Sequence, residues 1–280
     1  MRIGFAALAL CLLSAAVPVQ AASFSASCGA YVPGANPAIS DFVSPCAISV
    51  PQGSASAEAD AGYGLLRGEA QVSFVAGGNT YANAEARFVD EFTVGGDPGL
   101  AGQLGSMTVE FYLQGFLDAT GSGSSNLFAQ VEYSNPYPGC SGCGPYYALQ
   151  VSSSATAATG PRSFDRVVEG DIVFRFGEVT QITGFLQAVA RRAPGQSGAG
   201  TAEVLFGDTI YWNGIKEIRG PDGNVLTGFD LTSASGLDYR TSAISQVPAP
   251  GALWLLVTGL VAVFSRSSIR RGSRETPPHA

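Results

Sequence analysis

Histidine is almost missing from this chain: its one copy, His279, stands next to the last residue. Ser-His-Asp and Cys-His catalysis therefore have no imidazole base in the rest of the sequence. The usual catalytic zinc sites lose their commonest ligand for the same reason. Lysine is equally scarce. Lys216 is the single copy, between Ile215 and Glu217, where an exposed charge on a strand is the ordinary role. No Gly-Lys-Ser/Thr phosphate loop exists, and no cofactor is expected. Positive charge as a whole is short, with 15 Lys and Arg against 22 Asp and Glu. Setting aside residues 1–21 and 251–280 leaves 10 basic and 21 acidic residues, a net charge of −11. A body this acidic excludes nucleic acid as a partner, since it has no basic face to neutralise phosphates. It also disfavours adhesion to anionic headgroups, while promoting solubility and attracting divalent cations weakly.

Long apolar runs are confined to the two ends. MRIGFAALALCLLSAAVPVQA has one cation, Arg2, an apolar stretch from Ile3 to Val17, then small residues, with Val19 and Ala21 where a signal peptidase reads. Residues 1–21 are expected to be a signal peptide. Near the other end Ala252 to Phe264 carries no charge. As a helix it rises about 20 Å, short of the roughly 30 Å of a hydrocarbon core, so its flanks must help it span. Arg266, Arg270, Arg271 and Arg274 supply a basic stop that favours the cytoplasmic side, which leaves everything upstream outside the inner membrane. Trp254 suits the opposite interface.

Val247-Pro248-Ala249-Pro250-Gly251, the apolar helix 252–264 and the arginines together resemble the tripartite PEP-CTERM sorting signal of Gram-negative bacteria. Ala249 stands where the name-giving Pro-Glu-Pro has glutamate, and residues 275–280 follow as a polar tail. The resemblance implies an exosortase-type membrane protease as partner, which removes the helix and releases or attaches the protein outside. IKEIRGPDGNVLTGFDLTSASGLDY, just upstream, resembles the membrane-proximal hairpin of many such proteins.

Between the ends, residues 22–246 make an extracytoplasmic body long enough for one large β-domain or two small ones. Cys11 leaves with the signal peptide, and Cys28, Cys46, Cys140 and Cys143 remain. Pairing by proximity gives Cys28–Cys46 and Cys140–Cys143, one of the connectivities that four cysteines allow. Cys140-x-x-Cys143 also fits a redox dithiol or half a zinc site. Its Pro- and Gly-rich surroundings favour a disulfide at a loop tip, because they do not begin a helix.

From Glu69 onward the apolar period is two, the strand signature. Val109, Phe111, Leu113 and Leu117 share one face, as do Leu127, Ala129, Val131 and Tyr133. Tyr147, Leu149 and Val151 follow the pattern, then Ile172, Phe174 and Phe176, then Val204, Phe206, Ile210 and Trp212, then Val225, Thr227, Phe229 and Leu231. Ala22 to about Asp60, rich in small residues, reads as irregular chain with short strands. Stretches such as TGSGSS, WNG and GPDGN read as turns, the last closing a hairpin at Asp222-Gly223. Two antiparallel sheets packed face to face are expected, an all-β sandwich of jelly-roll-like form.

Asp90 and Asp208 interrupt apolar faces. Each could be a calcium ligand or general acid, or sit at a bulge, in a capped turn or beside Arg87 or Arg175. Tyr137, Tyr146 and Tyr147 flank the Cys140–Cys143 loop, either to stack on sugar rings or to cover the disulfide. The leading expectation is a non-enzymatic exported protein of the cell surface or extracellular matrix, membrane-tethered and then processed, with extracellular polysaccharide as a further partner. The alternatives are a carbohydrate-binding module and a glycosidase using carboxylates alone.

Overall fold

The computed structural model describes residues 22–32, 39–41, 45–75, 79–134, 136–137 and 146–243. The signal peptide, Cys140 and Cys143, the motif at 247–251, the helix 252–264, its arginines and the tail lie outside the described residues. Among the described residues no helix is long and apolar enough to cross a membrane.

Two antiparallel sheets form the body. Sheet A runs in the order β2 (Ile39–Asp41), β1 (Ser23–Tyr31), β6 (Tyr81–Gly95), β11 (Val179–Arg192), β8 (Gly123–Tyr133), β9 (Tyr146–Thr156). A short β13 (Asp230–Ser233) also pairs with β6, beyond the end of β1. Sheet B runs β10 (Arg162–Arg175), β7 (Leu104–Gly121), β12 (Gly200–Arg219), β5 (Leu65–Phe74), β4 (Gly53–Gly62), β3 (Cys46–Val50). The pairing is nested: β5 lies with β12, β6 with β11, β7 with β10, and β8 with β9. The chain between β5 and β12 is thus one long hairpin folded over itself. The pairs β7–β12 and β8–β11 join its arms into sheets.

The alternation decides which side of each strand is inside. Met107, Val109, Phe111 and Leu113 of β7 are buried, and so are Val204, Phe206, Ile210 and Trp212 of β12. One edge of the sandwich is built from alanine instead. Ala55, Ala57, Ala59 and Ala61 on β4 face inward, as do Ala82, Ala84 and Ala86 on β6. Methyl groups fill little space, so the sheets must approach closely there. At Gly68 of β5 an added Cβ would stand 2.5 Å from Leu186 Cδ2 on β11, so any side chain there would have to displace the leucine.

Three local expectations are corrected. The small-residue region before Asp60 is not mainly irregular, since it supplies β1 and β2 to sheet A and β3 and most of β4 to sheet B. Its alternation is carried by alanine, which has weak strand preference and little apolar contrast. WNG is not a turn. It lies inside β12 as a register shift between Trp212 and Gly214, with Gly214 at φ 125°, which favours glycine. The turn at Asp222-Gly223 forms, but its second arm is reduced to the single bridge Arg219↔Val225. Regular pairing resumes only at Asp230.

Cys28 of β1 and Cys46 of β3 form a buried disulfide with Cα atoms 6.1 Å apart, tying sheet A to sheet B along the alanine-lined edge. It closes a loop of 18 residues, for which the chain-entropy argument gives about 3 kcal/mol. Replacing both cysteines by serine should lower unfolding free energy by about 2–4 kcal/mol. Urea titration with and without reductant checks this, and wild type under reductant should fall to the variant's value.

Candidate functional site

Asp90, on β6, is fully buried. A carboxylate in that position needs donors for its lone pairs. The Glu91 amide donates to Oδ1 at 2.8 Å and the Ser235 amide at 3.1 Å. The Ser235 hydroxyl donates to Oδ2 at 2.5 Å and the Tyr239 hydroxyl at 2.6 Å. Neither Arg87 nor Arg175 supplies these bonds. Arg175 instead donates to the carbonyls of Pro136 and Gly102, at 2.7 and 2.5 Å. Asp90 therefore has no face open to a substrate, and a glycosidase mechanism loses it as an acid. For Asp208 only the backbone is described, and pairing shifts register across 207–209, the bulge that was one of its structural readings.

Three of the four donors on Asp90 come from the end of the body. Tyr239 is buried between Trp212 and Phe92, with ring centroids 4.8 and 6.1 Å away, and its carbonyl accepts from Trp212 Nε1 at 2.7 Å. Ala243, the last described residue, approaches the β4–β5 turn, where an added Cβ on Gly64 would meet its methyl at 3.2 Å. Phe24 packs edge-on against Tyr63 in the same turn, at 5.5 Å. Both ends of the body converge on one place.

Of the three flanking tyrosines, Tyr147 is separated from the other two. Tyr146 stacks on Tyr133 at 5.6 Å and is half-buried, with Tyr137, 42 % exposed, beside it at 6.1 Å. Tyr147, 46 % exposed, turns to the outer face of sheet A, opposite Glu132. A register shift at Val131/Glu132 puts Ala148 and Leu149 both inside, so Tyr147 is not on the face of Leu149 as simple alternation predicts.

That outer face carries two adjoining open clefts. One, of about 490 Å³, is lined by Ser25, Glu85, Arg87, Gln130, Glu132 and Phe185, among others. The other, of about 500 Å³, lies at the far end of β6 and β11, beside Tyr81, Asn83, Gln187, Arg191 and Arg192. Glu85 organises the boundary between them. Its Oε1 accepts from Asn83 Nδ2 at 3.0 Å and from Gln187 Nε2 at 2.8 Å. These amides, acids and aromatics suit hydroxyl-rich ligands, which need donors and acceptors together with a flat apolar surface. Sequence inspection missed this face because its residues are the ordinary polar half of alternating strands. The signal was the amide-rich outward set Asn83, Glu85 and Gln187 on strands whose inward set is largely alanine and leucine. Among the described residues no cluster of His, Cys, Asp and Glu could hold a metal ion. No family profile, curated protein or solved structure matches the chain.

Burial raises the Tyr239 phenol well above its ordinary value, helped by the charge of Asp90 and the hydrogen bond to it. In the unfolded chain the phenol titrates near 10. The folded state therefore holds its proton longer, so this contribution is complete below pH about 10 and is lost as pH rises further. Tyr239→Phe should cost about 1–3 kcal/mol at neutral pH and flatten that part of the alkaline decline. Urea unfolding of both proteins from pH 8 to 11.5 measures the two effects.

Proposed function

We propose that the protein is an exported, non-enzymatic β-sandwich protein of the cell surface or extracellular matrix. Its C-terminal segment tethers it to the inner membrane and passes it to an exosortase-type protease. The observation that carries this reading is the tripartite stretch itself: Val247-Pro248-Ala249-Pro250-Gly251, uncharged 252–264, and arginines at 266, 270, 271 and 274. Two structural facts support it. The Cys28–Cys46 disulfide fits an oxidising compartment. The body is sealed by Tyr239 only a few residues before the motif, so a protease acting near the motif would leave the sandwich whole. The nested pairing of β5 to β12 supports the finer description of the sandwich as a jelly roll.

A second reading is a carbohydrate-binding module, favoured by the two clefts on sheet A. Tyr147, on the same outer face, belongs to it more naturally than Tyr146, which packs inward.

Cell fractionation of the full chain against a chain lacking residues 247–274 tests the leading reading. The full chain should be found in the membrane and surface fractions, and the truncated one soluble in the periplasm. An unchanged distribution would remove the sorting signal from this account.

A further inference from the structure

On the outer face of sheet A, Glu85 and Arg87 stand two residues apart on β6, and both line the open cleft of about 490 Å³. An acid and an arginine at this spacing are within reach of each other, and elsewhere in the chain they pair. Glu217 and Arg219 meet at 2.7 Å, and Asp238 and Arg240 at 2.8 Å. Glu85 and Arg87 do not. Asn83 Nδ2 and Gln187 Nε2 both donate to Glu85 Oε1, at 3.0 and 2.8 Å, and turn the carboxylate toward Asn83, on the far side from Arg87. Oε2 takes no bond from any described residue. The Arg87 side chain has no ion pair, hydrogen bond or ring contact among them either.

A guanidinium only donates and a carboxylate only accepts. Held apart at one cleft, they leave a gap that a hydroxyl fills on both sides, accepting from Arg87 and donating to Glu85. A ligand carboxylate would meet Arg87 and be repelled by Glu85, while a ligand ammonium would meet Glu85 and be repelled by Arg87. The next strands extend the pattern. Phe185 of β11 is paired between Arg87 of β6 and Gln130 of β8. It is half-buried, with the Phe128 ring 6.2 Å away between centroids. Gln130 and Glu132, on the same cleft, also have no side-chain partner among the described residues. A sugar ring matches this set, with edge hydroxyls that donate and accept at once and a C–H face for the phenylalanine.

Resting on the glycan reading of sheet A and not on the sorting reading, we propose that this cleft binds an uncharged oligosaccharide. One ring lies on Phe185 with adjacent hydroxyls bridging Arg87 and Glu85, and the saccharide runs on toward Gln130 and Glu132. Glu85 faces Gln187 on one side of β11, and Glu132 faces Thr183 on the other. That offset is about 14 Å along the strands, with β11 lying between the two acids. Paired glycosidase acids stand about 5–9.5 Å apart, so these two are spaced to hold a saccharide and not to cleave it.

The test uses the full chain in a sugar-free detergent, because alkyl glycosides would compete. Calorimetric titration compares cellotriose, mannotriose and galactotriose with the acidic trigalacturonate and trimannuronate. At least one neutral trisaccharide should bind ten-fold or more tighter than either acidic one, and Phe185→Ala should weaken it ten-fold or more. Glu85→Gln is the sharper change. Its Oε1 still accepts from Asn83 and Gln187, while an amide nitrogen replaces the free acceptor, and binding should fall five-fold or more. Arg87→Gln, at an exposed position, should cost a similar factor. Unchanged thermal melts establish that the variants fold, and if Phe185→Ala melts early the other two decide. Full binding in Glu85→Gln and Arg87→Gln, or acidic trisaccharides bound as tightly as neutral ones, overturns the inference. Binding that survives all three changes but is lost in Tyr81→Ala or Tyr147→Ala also overturns it, and leaves the glycan reading standing elsewhere on sheet A. If no trisaccharide binds, the inference and the glycan reading fall together.

Discussion

A carboxylate cut off from water dictates how this body is closed. Asp90 needs donors, and strand pairing has already committed most nearby backbone amides. Three of its four hydrogen bonds come from Ser235 and Tyr239, which belong to the last segment of the body. Removing that segment would leave a charge buried with one donor, a state that proteins avoid at a cost of several kcal/mol. The segment consequently has one seat. Trp212 fixes it from the other side by donating to the Tyr239 carbonyl, so sheet B and sheet A both hold it.

This closure sets the direction of the whole molecule. With Ala243 against Gly64 and Phe24 against Tyr63, the chain enters and leaves beside the same turn. A tether beyond Ala243 would present the opposite end of sheet A outward. That end holds the cleft beside Tyr81, Asn83 and Arg191. The disulfide and the alanine-packed edge lie between the two ends and keep the sheets in fixed register.

Strands with large inward side chains were legible from the sequence. Val109, Phe111 and Leu113, or Ile172, Phe174 and Phe176, declare their faces through contrast with polar neighbours, and the structure buries them. β4 was not legible, since Ala55 to Ala61 alternate with Ser, Glu and Asp at too little contrast to separate from a loop. Trp212-Asn213-Gly214 misled for another reason. Glycine at positive φ serves a bulge as well as a turn, and only the partner strand decides which. Tyr146 and Tyr147 changed faces through a similar shift opposite Val131 and Glu132. The cleft residues gave only a faint sign, the outward amides Asn83 and Gln187, because nothing joins them until β6 and β11 pair and Glu85 turns both toward itself.

What the sequence determined alone was the β character, the sandwich and the inward faces of most strands. Alternating apolar residues can be buried in few other ways, and two cysteines near one another in the chain close easily. The winding, the role of Asp90 and the cleft were decided by tertiary structure. Each depends on which strands lie side by side, and hydrogen bonds between residues far apart in the chain leave no local pattern to read.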